Sequence, residues 1–244
     1  MKISITKYLF LPALTLCSVL LMTGRAAYAE NCGTFTTPDP AHPGQLIHHD
    51  YACQAAPIDI TNQASLKRGA ELFMTTCVSC HSLKYLRYER MAADLALSPE
   101  QIKTYMALTN SKIYDGIDAK TDAEMQKKAF GVAPPDLSLE ARSHGPDWIY
   151  TYLLSFYPDN KRPLGFNNKV IKDVAMPNVL AGLHQQLGDK AFAAQVGDLV
   201  NFLNYASEPK QHIRKIYGLF VIGFLLLFLI PVYLLNKEYW KDVK

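Results

Sequence analysis

The chain carries a long apolar block at each end, and between them short amphipathic stretches alternate with breaker-rich segments. The first block runs from Tyr8 to Met22 behind Lys2 and Lys7 and stops at Ala27-Tyr28-Ala29, a small-x-small step ahead of Glu30. This order of basic, apolar and small residues reads as a secretory signal over residues 1–29, cleaved on export. An uncleaved anchor is the alternative, for which the apolar run is short. The second block, Ile216 to Leu235, is 20 residues without a charge. At about 1.5 Å of rise per residue such a helix covers roughly the 30 Å of a bilayer core, so a transmembrane helix is predicted over 216–235, inside an anchor segment 210–244. Tyr217, Tyr233, Tyr239 and Trp240 lie near its ends, where amphipathic rings favour the membrane interface, and Pro231 is tolerated in such a helix. Basic residues flank both ends, so charge bias does not orient the span. An exported N-terminus followed by one stop-transfer helix places residues 30 to about 215 outside and a short tail inside.

Within the exported part, residues 30–60 hold Pro, His and small polar residues with little periodicity and are expected to form an irregular leader. From Ser65, Leu66, Gly69, Ala70, Phe73 and Cys77 recur at spacings of three and four, the mark of one helical face. Ser98-Pro99-Glu100 offers an N-cap and a first-turn proline for a second helix. Lys112 to Asn178 contains many Pro and Gly breakers and should be loop-rich, with one helix near Asp147 to Phe156. Phe192, Val196, Leu199, Phe202 and Leu203 mark a last amphipathic helix, Asp189 to Ala206. No strand-turn-strand series or repeat is evident. The expected architecture is mainly α: a helical domain with long loops over 61–209, plus the C-terminal transmembrane helix.

Charge adds one exclusion. The sequence has 25 Lys and Arg against 22 Asp and Glu. Removing residues 1–29 takes away Lys2, Lys7 and Arg25 and no acid, so the excess vanishes and no nucleic-acid-binding face is predicted. Asp115, Asp118, Asp122 and Glu124 interleave with Lys112, Lys120, Lys127 and Lys128, which reads as a mixed solvated surface.

Chemistry concentrates in Cys77-Val78-Ser79-Cys80-His81, the C-x-x-C-H haem attachment pattern. Two intervening residues let both sulfurs reach one edge of the macrocycle, and the adjoining imidazole comes beneath the iron. A redox C-x-x-C would want a strand-helix context and a zinc site a second ligand pair; neither is present. The cofactor expected is one haem c, covalently bound. Met74, Met91, Met106, Met125 and Met176 are the candidates for the second axial ligand. Met74 shares a helix with Cys77 and cannot cross the ring. Met176, in Asp173-Val174-Ala175-Met176-Pro177, sits where proline disfavours helix and an extended loop could bring its sulfur over the iron. A core-filling role is the alternative, and His144 and His184 are read as surface or hydrogen-bonding residues. Ala133-Pro134-Pro135-Asp136-Leu137 supplies free carbonyls that could fix the His81 ring, or forms an ordinary Pro-Pro turn. Cys32 and Cys53 suit a disulfide in an exported chain, with free thiols or a bond to another chain as alternatives.

Several of these stretches resemble known sequences. Lys67 to Phe73 followed by Cys77 to His81 is similar to the first helix of class I cytochromes c. Asp198 to Pro209, then Arg214-Lys215 and a membrane span, resembles the end of the cytochrome c1 family. Ala133 to Ser138, His144-Gly145 and Ala175-Met176-Pro177 follow that family's order, and the likeness covers nearly all of 60–244. It implies a class I cytochrome c-like exported domain with Cys77 and Cys80 as thioether sites, His81 and Met176 as axial ligands, and Pro135 as the carbonyl partner of His81. It implies that Gly69 lets the first and last helices approach. It also implies a subunit of the ubiquinol:cytochrome c oxidoreductase complex, in a bacterial inner membrane with the haem domain on the periplasmic side. Such a subunit packs beside cytochrome b, takes an electron from a Rieske iron-sulfur protein and passes it to a soluble or membrane cytochrome c. It is no enzyme on its own, and no catalytic residue is assigned. Another membrane-anchored cytochrome c, or a haem enzyme or gas-binding protein with an open sixth position, are the competing functions. Some bacterial relatives support the methionine loop with a disulfide. No cysteine lies between His81 and Met176 here, so packing is expected to do so.

Overall fold

The structure, a computed structural model, describes residues 31–38, 42 and 45–242; the predicted signal, 1–29, lies outside the described residues. Two strands, β1 (Asn31–Pro38) and β2 (Leu46–Ala52), pair antiparallel, and Cys32 and Cys53 form a disulfide at the base of this hairpin, with their Cα atoms 5.0 Å apart. The irregular leader expected for 30–60 is thus corrected over this stretch. Its sequence lacks the apolar alternation that announces a half-buried strand. Gly33 sits against the chain elsewhere: a Cβ there would lie 2.7 Å from the Val170 carbonyl oxygen. Two further short ladders, β3 (Leu83–Arg87) with β4 (Gly116–Ile117) and β5 (Phe156–Pro158) with β6 (Phe166–Asn168), join loops in the middle of the chain. These too were invisible to a search for strand-turn-strand patterns.

The rest is helical. α1 (Gln63–Thr76) is started by Asn62, whose side chain accepts the Ser65 N–H, and buries Leu66, Ala70, Phe73 and Met74. α2 (Tyr88–Leu95) and α3 (Pro99–Thr109) follow. α3 carries the capping box that Ser98 foreshadowed, with Gln101 returning the bond. α4 (Ala123–Phe130), α5 (Glu140–Ser143) and α6 (Pro146–Leu154) lead to α7 (Ala181–Ser207), which breaks at Gly188, where φ is 71°. The predicted start at Asp189 is therefore the start of the second limb.

That second limb and α1 form the centre of the core. At Gly69 a Cβ would fall 2.1 Å from the Asp198 carbonyl oxygen and 2.7 Å from Phe202 Cβ. Any side chain would hold the helices apart, so glycine sets their separation. Around this crossing pack Phe73 and Phe202, ring centroids 5.9 Å apart, with Leu199, Val196 and Tyr150. Arg68 clamps Asp198 at 2.6 Å on the rim. Asn201, fully buried, ties the chain before α1 to α7 by accepting the Asp59 N–H and donating to the Asp59 carbonyl and Ser65 Oγ.

α8 (Gln211–Tyr239) runs through Pro231 and buries none of its residues; it is long and apolar enough to cross a membrane. Its junction with the helical domain is polar. Arg214 grips both oxygens of Glu208, and Arg142 of α5 approaches the same carboxylate at 3.8 Å.

Candidate functional site

Between α1, α6, α7 and the loops before α5 and α7 lies a cavity of about 510 Å³. Its lining is mostly apolar, with Phe130, Val132, Pro134, Leu137, Ile149, Leu153, Ile171, Val174, Leu199 and Leu203. Cys77, Cys80, His81, Pro135 and Met176 all line it, so residues up to 99 positions apart in sequence meet in one chamber.

The cysteine end is built by local winding. α1 ends at Thr76 and tightens into a 3₁₀ turn, Cys77–Ser79, in which the N–H groups of Cys80 and His81 both donate to the Cys77 carbonyl. The turn returns His81 toward the cavity that Cys77 already faces. Neither cysteine is in a disulfide, and burial pushes the Cys77 thiol up to about 12, with the neighbouring Cys80 adding to the shift. The Cys77 sulfur is thus a neutral thiol rather than a reactive thiolate. The next segment holds the turn from behind: Lys120 and Thr121 N–H donate to the Val78 and Ser79 carbonyls, and buried Gln126 donates to the Ser79 and Thr121 carbonyls.

His81 has one ring nitrogen committed. Its Nδ1–H donates to the Pro135 carbonyl at 2.8 Å, which leaves Nε2 as a free lone pair. Burial lowers the imidazole pKa against the opposing pull of that bond, so the ring stays neutral and able to bind a metal. Pro135 is positioned in turn by Asp136. Its carboxylate accepts Ser82 Oγ at 2.6 Å, Lys84 N–H at 3.0 Å and Ser138 N–H at 2.8 Å, while Leu137 N–H donates to the Ser82 carbonyl. Burial would raise the Asp136 carboxyl, but these donors outweigh it and hold it below its ordinary value. Pro135 is legible in the sequence as a candidate carbonyl partner; for Asp136 the only signal is an Asp two residues before a Ser, directly after Pro-Pro, which marks a turn.

Of the other methionines, Met74 and Met91 are core residues, Met106 packs at the core's edge and Met125 is exposed. Met176 alone among them lines the cavity, and Tyr152 donates its hydroxyl to the Met176 sulfur at 3.4 Å. Burial pushes the Tyr152 phenol up, so it remains a donor. Tyr152 belongs to an aromatic file that runs from the end of α5 along α6 to the start of β5. His144 stacks on Trp148 at 4.4 Å, Trp148 on Tyr152 at 5.4 Å, and Tyr152 meets Phe156 edge-on at 5.3 Å. His144, read from sequence as a surface or hydrogen-bonding residue, does bind Glu140, and it also lines the cavity.

The chamber fits a flat apolar macrocycle with a metal: two sulfurs for its edge, a neutral imidazole and a thioether for its iron. Comparison with known sequences agrees. Residues 54–243 match the model of the Cytochrome C1 family. A cytochrome c1 from Allochromatium vinosum is 40% identical over 217 residues, covering 78% of this chain and 89% of the relative. A Nitrosomonas europaea protein named ammonia monooxygenase gamma subunit is 36% identical over 77% of this chain and 87% of its own length. Cytochrome c1 of Rhodospirillum rubrum is 29% identical over 75% of this chain and 83% of the relative. The chain belongs to the cytochrome c1 family: it is a membrane-anchored electron-transfer cytochrome of the bc1 complex, carrying one covalently bound haem c.

Proposed function

We propose that Cys77 and Cys80 form the two thioether links, that His81 and Met176 cap the iron from its two faces, and that the Pro135 carbonyl fixes the His81 ring. The observation that carries this is the meeting, in one apolar chamber, of two cysteines outside any disulfide, an imidazole with only Nε2 free, and the one methionine among the described residues that lines it. When bound, the haem supplies a one-electron couple. The chain's own residues bind it, keep water from it and set its potential. A thioether opposite an imidazole raises that potential relative to two imidazoles, which suits a relay at the oxidising end of a chain.

In this reading the protein relays single electrons within the ubiquinol:cytochrome c oxidoreductase complex. The donor is a Rieske iron-sulfur protein and the acceptor a soluble or membrane cytochrome c. The domain stands on the periplasmic side of a bacterial inner membrane, with α8 beside cytochrome b. Family membership and the exposed apolar length of α8 support this assembly.

The test is an absorption spectrum and redox titration of the membrane-extracted full-length protein and of Met176→Ala. The wild type should show the thioether-to-iron band and refuse carbon monoxide. The variant should lose the band, fall in potential and bind carbon monoxide when reduced. A wild type without the band, or pigment that leaves the chain in acidified organic solvent, contradicts the proposal. Co-purification with a cytochrome b and a Rieske protein tests the partners.

A further inference from the structure

The segment that delivers Met176 is held by a polar latch on its outer side. Asp173, three residues before Met176, has a φ of 59°, a left-handed backbone that costs any residue with a Cβ. The polar groups around that strained residue are taken. Its N–H donates to Asn167 Oδ1 at 2.9 Å, its carbonyl accepts Arg162 Nη2 at 2.8 Å, and its carboxylate accepts Arg162 Nη1 at 3.3 Å. Arg162 Nη2 also reaches the Val174 carbonyl at 3.3 Å. Arg162 Nε is buried without a hydrogen-bond partner, so the guanidinium is held through its two terminal nitrogens.

The arginine is itself fixed. Its N–H donates to the Asp159 carbonyl at 3.0 Å, and Asn167 Nδ2 donates to the Asp159 carboxylate at 2.9 Å. Asp159, Arg162, Asp173 and Asn167 thus close a ring of contacts. Asn168 extends it by accepting the Val170 and Ile171 N–H groups and donating to the Tyr152 carbonyl. Packing, expected from sequence to support the loop, is joined by this polar set, with Val174 buried beside it.

We propose that Arg162 is a positioning residue whose forked guanidinium holds Asp173 and Val174 in the backbone conformation that presents the Met176 sulfur to the cavity. The proposal rests on Met176 being the iron ligand. Asp173 and Val174 both line the cavity, so their release frees the methionine to leave. A guanidinium suits the task because two terminal nitrogens reach a carboxylate and two carbonyls together, which a lysine's single ammonium cannot.

The experiment compares the membrane-extracted full-length wild type, Arg162→Ala and Arg162→Lys, with Met176→Ala as the control. Three quantities are read: the thioether-to-iron band, the rate of carbon monoxide binding to the reduced protein, and helical content as urea is raised. In Arg162→Ala, carbon monoxide should bind at least tenfold faster, and the band should vanish at a urea concentration at which the helices persist. Arg162→Lys should lie between it and wild type. A rate within twofold of wild type, or band and helices lost together, overturns the latch. Should Arg162→Ala yield no folded haem protein, wild-type behaviour of Arg162→Lys overturns it. A wild type without the band, or a Met176→Ala variant that keeps it, counts instead against the ligand assignment and is seen with Arg162 untouched.

Discussion

The hydroxyl of Tyr152 points at the sulfur of Met176 across 3.4 Å, the polar group nearest that thioether's lone pairs among the described contacts. A hydrogen bond to the sulfur withdraws density that would otherwise stabilise the more positive oxidised iron. Tyr152→Phe should therefore lower the reduction potential, by on the order of tens of millivolts, the equivalent of a hydrogen bond worth about 1 kcal/mol. Spectroelectrochemical titration checks this; an unchanged or higher potential would contradict it.

Asp136 gives the site a defined acid sensitivity. Its carboxyl is held below the ordinary value of 3.8. A group depressed in the folded state contributes stability above its unfolded value and loses it as pH falls through the folded one. Asp136→Asn, which weakens charge-assisted bonds, should cost about 2 kcal/mol near pH 6, measured by urea unfolding. The gap between wild type and variant should then shrink below pH 3.8. A gap that stays constant down to pH 2 would show that the carboxylate charge is not what matters.

Gly69→Ala tests the core crossing. The added methyl meets Asp198 and Phe202 at distances no packed pair sustains, and one of the neighbours is helix backbone. The helices must separate, at a cost of about 3 kcal/mol, the upper end of typical overpacking penalties. A thermal midpoint within 2 °C of wild type would refute the claim that glycine sets this spacing.

The Cys32–Cys53 bond should matter locally. Closing this loop is worth about 3 kcal/mol in the chain-entropy model, and the hairpin touches the body through Gly33 against Val170. In Cys32→Ser/Cys53→Ser, hydrogen exchange over residues 31–52 should accelerate while protection of α1 and α7 is retained. Equal loss of protection everywhere would mean that the hairpin is part of the global core.

What sequence could reveal follows from range. The C-x-x-C-H turn is contiguous, and α1, α3, α6 and the second limb of α7 announce themselves through three-four spacing, a capping box or a proline-led start. Gly69 was legible through motif likeness and Met176 through the proline beside it as well; the first lies at the helix crossing and the second lines the cavity. The Asp136 hub, by contrast, gathers Ser82 and Lys84 from more than fifty positions away. Arg162 works through backbone carbonyls, and every residue has one, so no residue type marks its partners. The hairpin stayed hidden because its strands lack apolar alternation.

The grip of Arg142 and Arg214 on Glu208 bears on how the molecule moves. One arginine belongs to the cavity-bearing domain and the other to the first turn of α8, so their shared carboxylate stiffens a junction that would otherwise swivel. Glu208→Gln should broaden the distribution of haem-plane tilts in aligned membranes; an unchanged distribution would mean that other contacts set the angle. In the proposed relay, a junction stiffened in this way would make the redox centre a fixed station rather than a boom, with the travel that brings donor and acceptor within tunnelling range left to the visiting proteins.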